Sequence, residues 1–106
     1  MAKVRLSLDK GRDIFLHRTK IENLFISEYL PDAPGDYVKV FLFGLMYAQY
    51  ELRPDRNELS RLLGLSVDEI AEAWIYWESR GLVRIVHERD SNNEEVSHVI
   101  FLSKID

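Results

Sequence analysis

The 106-residue chain contains no cysteine. That absence excludes a disulfide scaffold, thiolate zinc sites and thiol catalysis, and it suits a reducing, cytoplasmic setting. Proline is scarce, with three residues, and glycine is limited to five, so neither a flexible linker nor a low-complexity tract is present. Long hydrophobic runs are also missing. The most apolar stretch, Tyr37 to Tyr50, is interrupted only by Lys39, Gly44 and Gln49. It falls short of the roughly 20 residues a membrane-spanning helix needs, so a buried central helix is expected. The first residues lack the apolar core and small-residue cleavage site of a signal peptide. Nor is there a glycine-rich phosphate loop, a nucleophile elbow or a His-Glu-x-x-His pair. No enzyme chemistry, metal site or cofactor is therefore expected.

What is present is an ordinary globular composition, 46% hydrophobic and 30% charged, at a length that makes one domain with one modest core. The net charge of −4 argues against strong nonspecific binding to nucleic acid. The charge is unevenly divided. Residues 1–20 hold six bases and two acids, and the remainder holds eight bases and sixteen acids. A basic arm of local charge +4 thus precedes an acidic body of −8.

Period-two alternation at Val4, Leu6 and Leu8, and again at Ile14 and Leu16, flanks the turn residues Asp9-Lys10-Gly11-Arg12. This predicts an N-terminal β-hairpin, so residues 1–19 read as the arm and 20–106 as the domain. Thr19-Lys20-Ile21-Glu22 has the spacing of a capping box and opens a helix over about 20–29, stopped by Pro31. Asp36 is placed to cap the long apolar helix that runs to about Glu51. A short helix from about 56 to 63 ends at Gly64, where a left-handed residue is expected. Ser66-Val67-Asp68-Glu69 is a second capping box and opens a helix over 67–80, closed by Gly81. Strands over 82–89 and 96–102 follow, joined by the polar turn at 90–94.

Helix, tight turn, helix and hairpin is the order of a winged helix-turn-helix. The expected fold class is therefore α+β, a winged helix with an N-terminal hairpin and helix extension. In such a fold the helix over 67–80 would enter the major groove of DNA. It carries Asp68, Glu69, Glu72 and Glu78 against Arg80 alone. Readout usually relies on Arg, Lys, Asn or Gln at base edges, and none precedes Arg80, so conventional groove reading is disfavoured. Asp68 and Glu69 also suit the positive end of a helix dipole, which explains them better than a Mg²⁺ site does.

The same helix carries surplus apolar surface. Ile70, Trp74, Trp77 and Gly81 can face the core, leaving Ile75 and Tyr76 to project elsewhere. In the strands, Val83, Ile85, Ile100 and Leu102 are expected on one face, with Val86, Val99 and Phe101 near the other. Such an excess reads as a partner surface, and the candidate interface is Phe15, Phe25, Tyr29, Ile75, Tyr76, Val86, Val99 and Phe101. Arg5, Arg12 and Arg18 form a candidate charged docking arm that meets the acidic body of another protomer. His87 and His98 stand on one face if they pair across the hairpin. Structural zinc wants four ligands, so they read as a cross-strand polar pair.

The run Thr19-Lys20-Ile21-Glu22-Asn23-Leu24-Phe25-Ile26, with Glu28 to Ala33, Gly35 to Val40 and Phe43-Gly44-Leu45, resembles the N-terminal domain of the DnaD family of bacterial replication-initiation proteins. Leu62 to Ser66, Tyr76-Trp77-Glu78 and Gly81-Leu82-Val83 extend the resemblance, which covers about Thr19 to Val83. It implies a primosome component active in helicase loading, whose winged-helix domain self-associates as a dimer or tetramer. It also implies docking to replication initiator and helicase-loading proteins. In that family a separate C-terminal domain supplies much of the DNA binding, so this chain is expected to be an excised N-terminal domain or a short relative. Its own DNA contact is expected to be weak or indirect. The competing expectation is a winged-helix transcription regulator whose basic arm tracks phosphates.

Overall fold

The computed structural model describes residues 17–54 and 57–102. Residues 1–16 of the expected hairpin arm over 1–19, with Arg5, Arg12 and Phe15, lie outside the described residues. Within them, a π-helical turn (Phe25–Tyr29) is followed by helices α1 (Gly35–Gln49), α2 (Glu58–Leu63) and α3 (Val67–Ser79). Strands β1 (Val83–Arg89) and β2 (Glu95–Phe101) complete an α+β domain. No helix among the described residues is long and apolar enough to cross a membrane.

The expected helix over 20–29 is shorter than its pattern suggested. Lys20 gives its backbone N–H to Oε1 of Gln49 at 2.9 Å, and its carbonyl accepts Nε2 of Gln49 at 2.6 Å. The Thr19–Glu22 box does not form, and the Lys20 carbonyl, committed to Gln49, is not free to accept the bond that would start a helix here. Helical structure begins only at Asn23. The Leu30 N–H then reaches Phe25 O at 2.9 Å, a five-residue step that widens the turn.

α1 starts two residues earlier than expected. Pro34 occupies the cap, its carbonyl accepting Tyr37 and Val38 N–H groups at 3.0 and 3.1 Å. Asp36 sits inside the first turn, where the helix dipole favours its charge. The other end closes with Glu51 at φ 55. There the Leu52 N–H bonds Tyr47 O at 2.9 Å and the Glu51 N–H bonds Ala48 O at 3.1 Å, the paired bonds of a Schellman ending.

The turn between α2 and α3 matches its sequence signals. Gly64 is left-handed at φ 68, and Ser66 and Glu69 form the reciprocal capping box. Across this turn the Ser60 hydroxyl donates to Leu65 O. The Tyr47 hydroxyl donates to Glu58, tying α1 to the first turn of α2.

The core has two adjoining clusters. Phe25, Phe41, Trp77, Leu82 and Val83 form one, and Val40, Tyr47, Leu59, Leu65, Ile70 and Ala73 form the other. Phe25 stacks on Phe41 at 4.3 Å between ring centroids, and Trp77 leans on both. Trp77 is fully buried, and its indole N–H is satisfied by Tyr37 O at 2.8 Å.

In the hairpin Val83 pairs with Phe101, Ile85 with Val99 and His87 with Ser97. The expected strand facing is thereby corrected. Val99 and Phe101 share the core face with Val83 and Ile85, whereas Ile100 stands opposite Arg84 on the other face. A one-residue difference in register inverts a whole strand. The turn sets this register: the Asp90 N–H bonds Glu94 O at 3.0 Å, and Asp90 Oδ1 accepts Asn92 and Glu94 N–H groups at 2.9 Å each.

Candidate protein-docking surface

α3 turns Ile70, Ala73 and Trp77 to the core, with Trp74 half-buried at its margin. The opposite face follows from helical spacing. Asp68, Glu72, Ile75 and Ser79 recur at i, i+4, i+7 and i+11 and are all exposed. Ile75, 60% exposed, is the most exposed of the large hydrophobic side chains among the described residues. The four acids of this helix divide by role. Glu69 closes the capping box, accepting the Ser66 N–H at 2.9 Å, and this bond holds its carboxyl below the usual range. Glu78 accepts the Ile85 N–H at 2.9 Å, fastening α3 to β1. Asp68 and Glu72 make no hydrogen bond or ion pair among the described residues and face solvent beside Ile75.

The other candidate interface residues fall elsewhere. Phe25 is 5% exposed and belongs to the core, so it is removed from the surface. Tyr76 is half-buried, its ring 4.9 Å from Trp77 and 5.2 Å from Tyr37. Its projection away from the core is corrected by the breadth of the aromatic cluster, which reaches round α3 to meet it. Phe101 packs edge-on to Phe41 and Trp74 at 5.2 and 5.8 Å, and Val99 lies beside it against the core. Tyr29 is half-buried under the Arg80 guanidinium, 5.3 Å from its ring centre. Val86 is half-buried on the hairpin face shared with His98. Arg18 is exposed, and its carbonyl accepts the Tyr50 hydroxyl at 2.7 Å.

The histidine pairing is also corrected. His87 stands opposite Ser97, and His98 opposite Val86, so the two rings occupy opposite faces of the hairpin. Each has a carboxylate neighbour across the strands, Glu95 at 3.6 Å from His87 and Glu88 at 3.3 Å from His98. Among the described residues no group of three or more His, Asp or Glu side chains could hold a metal.

No family model matches the chain, and no curated protein sequence matches it.

A concave site lined by no residue of α3 is also present among the described residues. A hollow of about 290 Å³ lies between the residues around Phe25, the end of α1 and the root of the hairpin, floored by Phe25, Phe41, Leu82 and Phe101. Its polar rim is Lys20, Glu22 and Gln49, and Gln49 is already committed to the Lys20 backbone. Three residues that matter here carried no clear signal in the sequence. Ala73 is wholly buried, Gly44 lies directly against Trp74, and Gln49 anchors a distant segment. The only hint was that Gly44 and Gln49 interrupt an apolar run.

Proposed function

We propose that this chain is a winged helix-turn-helix domain that self-associates and docks other proteins, rather than a reader of DNA sequence or an enzyme. The observation that carries the reading is the outward face of α3. Where a groove-reading helix presents bases and amides to the DNA, this one presents Asp68 and Glu72 around an exposed Ile75. Two carboxylates facing phosphates repel, and a solvent-exposed isoleucine between them is better satisfied by an apolar side chain of a protein partner. The order of helix, left-handed glycine turn, capped helix and hairpin supports the winged-helix assignment.

The resemblance to the DnaD family supplies a setting. The domain would work in the cytoplasm within a replication-initiation assembly, as a dimer or tetramer, docking initiator and helicase-loading proteins.

Two measurements test this reading together. Sedimentation of the chain over a concentration series is expected to give masses above the 12.5 kDa of the monomer. Duplex DNA titrated at about 50 mM salt is expected to bind negligibly. Tight duplex binding that falls steeply with salt would instead support a DNA-binding regulator that tracks phosphates through its basic arm.

A further inference from the structure

α1 is held from two opposite sides. Tyr37, Val40, Gly44 and Tyr47, at i, i+3, i+7 and i+10, form the side toward α3, where they meet Trp77, Trp74 or the core that α3 lines. Leu42, Met46 and Gln49, at i, i+4 and i+7, form the other. This second side carries the incoming chain: Gln49 clasps the Lys20 backbone, and Leu42 and Met46 line a hollow with Thr19. The root of the basic segment is thus fixed across α1 from α3, and the outward face of α3 points farther away still.

We infer that the outward face of α3 is the docking site for the basic N-terminal segment of a second copy of this chain. The inference rests on the self-association reading and adds its contact surface. Charge complementarity argues for this occupant. Asp68 and Glu72 have no partner among the described residues, and the segment brings Lys3, Arg5, Lys10, Arg12 and Arg18 against Asp9 and Asp13 alone. The segment also interleaves its bases with Val4, Leu6 and Leu8, which supply apolar contact for Ile75 between the charge pairs. Reciprocal exchange of two such segments closes a two-fold dimer.

Sedimentation of the full chain tests the proposal with two charge-reversed variants, R5E/R12E/R18E and D68K/E72K. All the described positions among them are exposed. Each variant alone is expected to self-associate about tenfold more weakly than the parent, which itself weakens as salt rises from about 50 to 500 mM. An equimolar mixture of the two is expected to recover association, because each segment then meets a face of opposite sign. Circular dichroism checks folding, and if D68K/E72K melts early the milder D68N/E72Q pair replaces it for the weakening alone, the recovery on mixing then being read with D68K, a single reversal. A parent that associates while both variants do so equally well would overturn the docking site and leave self-association standing. Two weakened variants that fail to associate when mixed would overturn the pairing between copies. A parent that stays monomeric throughout would overturn both readings.

Discussion

The indole of Trp74 occupies the space that a side chain on Gly44 would need. A Cβ built on Gly44 falls 2.3 Å from Cη2 of Trp74 and 2.7 Å from Cζ2. α1 and α3 approach each other here, and glycine is what permits the contact. Gly44→Ala forces the indole outward, away from its edge contact with Phe101, which in turn leans on Phe41. Overpacking of this kind costs about 1–3 kcal/mol, offset by about 1 kcal/mol of improved helix propensity. A net loss of up to about 2 kcal/mol is expected in urea unfolding, with altered indole fluorescence. Gly35→Ala, where the added Cβ meets nothing within 4 Å, should change stability by under about 0.5 kcal/mol.

Two left-handed residues close helices with opposite degrees of comfort. Gly64, at φ 68, has open space around an added Cβ, so Gly64→Ala isolates backbone strain from packing. It should cost about 1 kcal/mol or slightly more. Glu51 holds φ 55 at the end of α1 despite carrying a side chain. Glu51→Gly should therefore stabilise the domain, by about 0.5–1 kcal/mol after the added entropy of the unfolded chain is counted. Denaturant midpoints of the two variants should move in opposite directions.

Local chemistry was legible in the sequence, and contacts between distant segments were not. Ser66 with Glu69, and Gly64, act within a few residues, so their spacing predicted both the cap and the turn that the structure contains. Thr19 with Glu22 has an equally good local pattern, yet the peptide of Lys20 is taken by Gln49, 29 residues away. No periodicity reports such competition. Strand facing failed for a related reason: Val96 to Leu102 is apolar at several adjacent positions, so alternation alone could not say which set turns inward. The pairing of Val83 with Phe101 decides it. On the candidate docking face, Ile75 with its acidic neighbours was readable from α3 alone. Tyr76 was misjudged because its burial depends on Tyr37, contributed by α1.

The clasp of Gln49 on Lys20 should be local in its energetics. Its two hydrogen bonds are exposed and together should contribute no more than about 1–2 kcal/mol to folding. Gln49→Ala is therefore expected to lower the unfolding midpoint only modestly, by the equivalent of no more than about 1–2 kcal/mol. Freed from α1, however, the peptide bonds after Arg18 and Lys20 should become better trypsin substrates. Limited proteolysis followed by mass spectrometry should show faster cleavage at these two sites and unchanged rates at Arg61 and Arg84. Gln49→Glu should behave similarly, because a carboxylate cannot donate to Lys20 O.

The Tyr47 phenol makes the stability of the α1–α2 junction sensitive to alkali. Burial, and then its hydrogen bond to Glu58 and the charge of that carboxylate, push its pKa from 10.0 up to about 12. Below pH 10 the phenol is protonated in both folded and unfolded chains, and its contribution to stability is complete. Between pH 10 and 12 the unfolded chain releases this proton while the folded chain retains it, so stability falls as pH rises. Tyr47→Phe removes the titrating group together with the hydrogen bond. At neutral pH it should cost about 1 kcal/mol. Urea midpoints measured from pH 8 to 12 should then decline less steeply for the variant than for the parent. Parallel declines would show that the other tyrosines, rather than the part-buried Tyr47–Glu58 contact, set the alkaline limit of the fold.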